Sequence, residues 1–73
     1  MKNFYKIIGV DQKASSREIK KRFREKALKI HPDKSGQDTK AEFVELYEAY
    51  EILIDSRKRA RYDKIYDWVK SPE

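Results

Sequence analysis

The stretch Ser15-Ser16-Arg17-Glu18-Ile19-Lys20-Lys21-Arg22-Phe23-Arg24-Glu25-Lys26-Ala27-Leu28-Lys29-Ile30-His31-Pro32-Asp33-Lys34 decides the fold. Ser15 and Glu18 make an S-x-x-E capping box, in which each side chain can satisfy an orphan N–H at the other. Ile19, Phe23, Ala27 and Ile30 follow at i, i+4, i+8 and i+11, which is one face of a helix. Lys26 sits at the edge of that stripe, its stem expected to pack while its amine reaches water. Leu28 falls at the other border. Pro32 lacks an N–H and disfavours the α conformation at His31, so the helix must stop near Ile30.

Downstream, a polar loop over 31–40 leads to a second capping box, Thr39 with Glu42. Phe43, Leu46, Tyr47, Tyr50, Leu53 and Ile54 then recur at helical spacings. Two helices of about four turns, over 16–30 and 40–54, joined by a loop of this length predict an antiparallel hairpin with facing apolar stripes. Upstream, residues 3–8 read as a short helix with Tyr5 and Ile8 on one face, and Gly9 stands where a left-handed C-cap belongs. Residues 10–14 are a loop. Asp55-Ser56 is an N-cap for a last helix over about 56–69, whose Ile65, Trp68 and Val69 are expected to cover one end of the hairpin. The fold class is all-α. One domain is expected over 1–70, with 71–73 a tail or the cut edge of a longer protein.

Composition sets limits on function. A 73-residue chain buries only about 60% of its unfolded surface, so its core is thin and must be well packed. It has no cysteine and a single histidine, which excludes disulfides, thiolate metal sites and any site needing several imidazoles. No apolar run approaches the roughly 20 residues of a membrane span. The start does not read as a secretory signal, because the apolar run is short and broken by Lys6.

Charge is unevenly placed. Residues 16–30 hold seven basic side chains against Glu18 and Glu25, as much net charge as the whole chain, +5. Residues 41–54 hold Glu42, Glu45, Glu48 and Glu51 and no base. The two helices can attract each other as solvated faces, each exposed pair contributing roughly 0–1 kcal/mol. Lys20, Lys21 and Arg24 lie off the apolar stripe, where they are free to meet something negative outside the chain.

In this order and spacing the sequence resembles the J-domain family of DnaJ-type co-chaperones, whose signature is an HPD tripeptide in the loop between two long helices. The resemblance runs from about Asn3 to Tyr66. It includes Phe4-Tyr5 with Gly9-Val10, Glu18-Ile19-Lys20-Lys21, Phe23-Arg24, Ala27-Leu28-Lys29, His31-Pro32-Asp33-Lys34, Glu48-Ala49-Tyr50, Asp55-Ser56, Lys58-Arg59-Ala60 and Tyr62-Asp63. Lys26, Glu25 and Ile30 depart from it, standing where the family usually has a leucine, a base and an aromatic residue.

The resemblance implies a regulator and not an enzyme. It implies docking on a DnaK-type heat-shock chaperone through His31, Pro32, Asp33, Lys20, Lys21, Arg24 and Lys34, and stimulation of that chaperone's ATP hydrolysis in client folding. Pro32 stiffens the loop and lowers the entropy lost on docking. Asp33 can pair with an arginine, and His31 can donate or accept a hydrogen bond. The lysines and Arg24 can steer the encounter. No cofactor, metal, small-molecule substrate, specific nucleic acid or membrane partner is expected. The isolated domain is expected to be a monomer, and the location cytoplasmic. Phe23 reads first as core, and the bases from Arg57 to Arg61 as helix-paired or solvated.

Two other classes are weighed. A basic helix in a small domain can track nucleic-acid phosphates, but the acidic third helix would repel a nearby backbone. A hydrolase built from His31, Asp33 and Ser35 would place all three on one loop with no oxyanion hole. A J-like scaffold without ATPase stimulation also remains open, with the intact tripeptide against it.

Overall fold

The computed structural model describes residues 2–30 and 40–70. Among the described residues four helices appear in the expected order: α1 (Phe4–Ile8), α2 (Ser16–Ile30), α3 (Lys40–Ile54) and α4 (Ser56–Lys70). α3 is the hub and packs against each of the other three.

Local chemistry sets the helix ends. Asn3 caps α1 by accepting from the Lys6 N–H at 3.1 Å. Gly9 ends it at φ +89°, a left-handed conformation that glycine alone adopts without a Cβ penalty. The Ser15 hydroxyl accepts from the Glu18 N–H at 3.2 Å, so the serine half of the expected capping box forms, without the return bond to the Glu18 carboxylate. Thr39, the cap expected for α3, lies outside the described residues. At the α3–α4 corner the Asp55 carboxylate accepts from the N–H groups of Arg57 (2.9 Å) and Lys58 (3.2 Å). Those two bonds favour the charged carboxylate and hold its pKa below the ordinary value.

The core is Tyr5 and Ile8 from α1, Ala14, Ile19 from α2, Leu46, Ala49 and Leu53 from α3, and Tyr62 from α4. Burying a Leu or Ile side chain stabilises by roughly 1.5–3 kcal/mol, so this small set is what holds the helices together. Phe23 lies half-buried, stacked on Tyr50 with ring centroids 4.1 Å apart and edge-on to Tyr47 at 6.2 Å. It is thus the hairpin's packing residue, as first read.

Three expectations need correction. Ile65, Trp68 and Val69 do not cover the hairpin: they are exposed by 53%, 79% and 58%. Tyr62 and Tyr66 pack inward instead, because α4 rotates its aromatic-rich side towards Phe4 and Tyr5. The α3 stripe is centred on Leu46, Ala49 and Leu53, which leaves Tyr47 half in solvent. A small Ala49 lets neighbouring helices approach where a larger side chain would hold them apart. The Lys26 amine does not reach water freely; it donates to the Ile7 carbonyl at 2.6 Å. That carbonyl belongs to the end of α1, where a cation also meets the negative end of the helix dipole.

Candidate functional site

The cationic flank of α2 is built from behind. Ile19 is fully buried, and Phe23, Ala27 and Ile30 are partly so, which fixes the rotation of α2 about its own axis. At 100° per residue Lys20, Arg24 and Lys21 then fall about 100°, 140° and 200° round from Ile19, running from the border of that stripe to its far side. All three are exposed, and none has a hydrogen-bond or ion-pair partner among the described residues. Glu25 pairs with Arg22 at 3.7 Å, so it is not paired with the three bases.

His31, Pro32, Asp33 and Lys34 lie outside the described residues. What is described is their frame: Ile30, the last residue of α2, and Lys40, the first of α3.

Sequence reasoning missed the residue that fastens the start of α2 to the last helix, Arg59. Its Nη2 donates to the carbonyls of Gln12 (2.8 Å) and Ala14 (2.7 Å), and its Nε to the Tyr5 hydroxyl (3.2 Å). The guanidinium carbon lies 5.6 Å from the Tyr5 ring centroid, and Asp63 is 3.9 Å away. Arg59 therefore ties the α1–α2 loop to α4 while α3 packs on the other side. The Tyr5 hydroxyl donates in turn to Asp63. Burial first, then that bond to a carboxylate, push the Tyr5 pKa up to about 12, with Arg59 pulling the other way. A second tyrosine locks the N-terminus: the Tyr62 hydroxyl donates to the Lys2 carbonyl at 2.7 Å and accepts from the Phe4 N–H at 2.9 Å. Gln12 adds a bond to Asp67 at 2.7 Å. Nothing in the periodicity separated Arg59 from Arg57, Lys58 or Arg61; only its distance of four residues from Asp63 hinted at a role.

Among the described residues no group of histidine, cysteine and carboxylate side chains is placed to hold a metal, and no helix is long and apolar enough to cross a membrane.

This arrangement of a short capped helix, a basic helix, a hub helix and a clamping fourth helix has known counterparts. The family model for the DnaJ domain matches residues 3–63. The chain belongs to the J-domain family. It is 51% identical over 65 residues to the chaperone protein DnaJ of Clostridium kluyveri, covering 86% of this chain and 17% of that protein. A DnaJ-like protein of Synechocystis is 54% identical over 65 residues, covering 86% and 20%. Among solved structures, the J-Trx1 fragment of ERdj5 matches with TM-score 0.81 and 44% identity, over 88% of this chain and 32% of that one. The chain thus spans about a fifth of the length of the curated relatives it matches. The J-domain family is one of co-chaperones, not of enzymes, and the four-helix fold expected from the sequence is the J-domain fold.

Proposed function

We propose that this J-domain docks on a DnaK-type heat-shock chaperone and stimulates its ATP hydrolysis, coupling the cycle to client folding. The docking set is Lys20, Lys21 and Arg24 on α2 with His31, Pro32, Asp33 and Lys34 beyond its end. The observation that carries this reading is the unpaired cationic flank of α2, held outward by Ile19, on the helix that precedes the tripeptide in the sequence. Such a flank raises the encounter rate with an acidic surface, while a carboxylate and an imidazole beside a proline supply directional contacts. Family membership supports the same partner. The functional unit is taken as residues 1–70, working in the cytoplasm, a compartment with which a cysteine-free chain is compatible.

The test is single-turnover ATP hydrolysis by a DnaK-type chaperone with and without the domain. Unaltered domain raises the rate, and His31→Gln or Asp33→Asn removes the increase with the far-UV helical signal unchanged. If both variants stimulate as well as the parent, the tripeptide is not the trigger and the proposal is wrong.

A further inference from the structure

We propose that the outer face of α4 docks on the outer face of α3 of a second copy of this chain. At 100° per residue Lys58, Arg61, Lys64, Ile65, Trp68 and Val69 share one arc of α4 spanning about 140°. All six are exposed, because the opposite side of the helix meets α1 through Arg59, Tyr62 and Tyr66. The three cationic side chains have no ion-pair partner among the described residues, and the arc carries no carboxylate. Along the chain the arc is cationic first and apolar second.

α3 presents the reverse order. Val44 and Tyr47, exposed by 58% and 49%, are followed on the same arc by Glu48 and Glu51. From Val44 to Glu51 is seven residues, as from Arg61 to Trp68, about 10 Å at the helical rise. Laid antiparallel, the two arcs bring Val44 and Tyr47 level with Trp68 and Ile65, and Glu48 and Glu51 level with Lys64 and Arg61. Glu48 already touches Lys2 at 3.5 Å, so Glu51 is the carboxylate with no partner of its own among the described residues.

An anionic lipid surface would satisfy the cations of α4 but gives the acidic half of α3 nothing to meet. A second copy satisfies both faces in one contact. One helix laid on another falls short of the about 800 Å² per partner of a standard interface, and the +5 charge opposes approach. The monomer expected of the isolated domain therefore holds when dilute, and association grows with concentration. The contact uses two different patches, so it is head-to-tail and extends past a dimer unless its ends meet.

Trp68 is the sole tryptophan and reports directly. Between about 10 µM and about 1 mM, its emission should shift to the blue and its quenching by acrylamide should fall, as sedimentation velocity shows rising mass. Glu51→Arg or Arg61→Glu alone weakens association roughly 3- to 10-fold, and the E51R/R61E pair restores it. Both sites are exposed, and circular dichroism verifies the fold. The proposal is overturned if emission and sedimentation stay constant over that range, or if the double reversal is no better than the singles. It is equally overturned if Trp68 responds only to vesicles of phosphatidylserine and phosphatidylcholine. Chaperone stimulation, measured on dilute domain, reads separately from all of these.

Discussion

Arg59→Ala should unfold this domain more effectively than any other single change to a basic residue. The arginine side chain is 18% exposed and holds two backbone carbonyls, a phenol and a carboxylate. A hydrogen bond to a charged group contributes about 1.5–3 kcal/mol net, and removing the donor also leaves the carbonyls of Gln12 and Ala14 short of a partner. Water entering the gap recovers part of that loss, so we expect a destabilisation of about 3–4 kcal/mol. At 0.05–0.15 kcal/mol per residue a chain of this length has a total stability of about 4–11 kcal/mol. The variant thus loses a quarter or more of its margin, and for a domain of this size Tm falls by about 12–32 °C. Urea titration followed by far-UV circular dichroism measures the change, with Arg61→Ala as the exposed control expected within about 0.5 kcal/mol. Arg59→Lys keeps the charge but not the planar fork, and should fall between the two. If Arg59→Ala matched the Arg61→Ala control, the clamp would not be holding α4 to the α1–α2 loop and this account of the fold would fail.

Three further outcomes follow from named contacts. The Tyr5 pKa is raised in the fold to about 12, so its contribution is fully present below the unfolded value near 10 and is lost as pH rises through the folded one. Alkaline unfolding between about pH 10 and 12 should be flattened by Tyr5→Phe, and an unchanged profile would refute the assignment. Gly9→Ala meets no closer neighbour than Lys26 Cε at 3.6 Å, so its cost is backbone strain alone, about 1–2 kcal/mol, readable by thermal melting. Reversing Lys20 and Arg24 to glutamate should weaken chaperone docking most at low ionic strength, where screening is least; titration calorimetry at two salt concentrations checks it, and equal losses at both would move the interface elsewhere.

Legibility followed periodicity. Ile19, Leu46 and Leu53 sit on strong helical stripes, and Pro32, Gly9, Ser15 and Asp55 mark boundaries by backbone chemistry, so α1 to α4 could be bounded nearly to the residue. α4 was harder. Its inward side is polar-aromatic, with Arg59, Tyr62, Asp63 and Tyr66, while its apolar Ile65, Trp68 and Val69 point out. A rule that sends apolar residues inward therefore chose the wrong side, because each buried tyrosine reaches a polar partner and so carries area without an unmet hydroxyl. The rotation of α2 could be read from Ile19 and Phe23, and the exposure of Lys20, Lys21 and Arg24 followed from it. The role proposed for the tripeptide came from resemblance, since three consecutive residues have no periodicity to read.

The same contrast governs how much of the positive charge can serve docking. A sequence counts bases, whereas the fold sorts them by where their charge is satisfied. Arg59 and Lys26 both turn inward onto carbonyl oxygens at chain turns: Arg59 at Gln12 and Ala14, Lys26 at Ile7. Each stands where an apolar residue would fill the space but leave a carbonyl unmet. That is why a lysine serves at the position where the family usually places a leucine: the stem packs beside Gly9 and the amine closes α1. Arg22 is drawn off by Glu25, and Lys2 by Glu48. Among the described residues the bases without a partner include two separate sets, Lys20, Lys21 and Arg24 on α2 and Lys58, Arg61 and Lys64 on α4. Two cationic surfaces on different helices can engage two different acidic partners, so a change that abolishes one engagement has no physical reason to abolish the other.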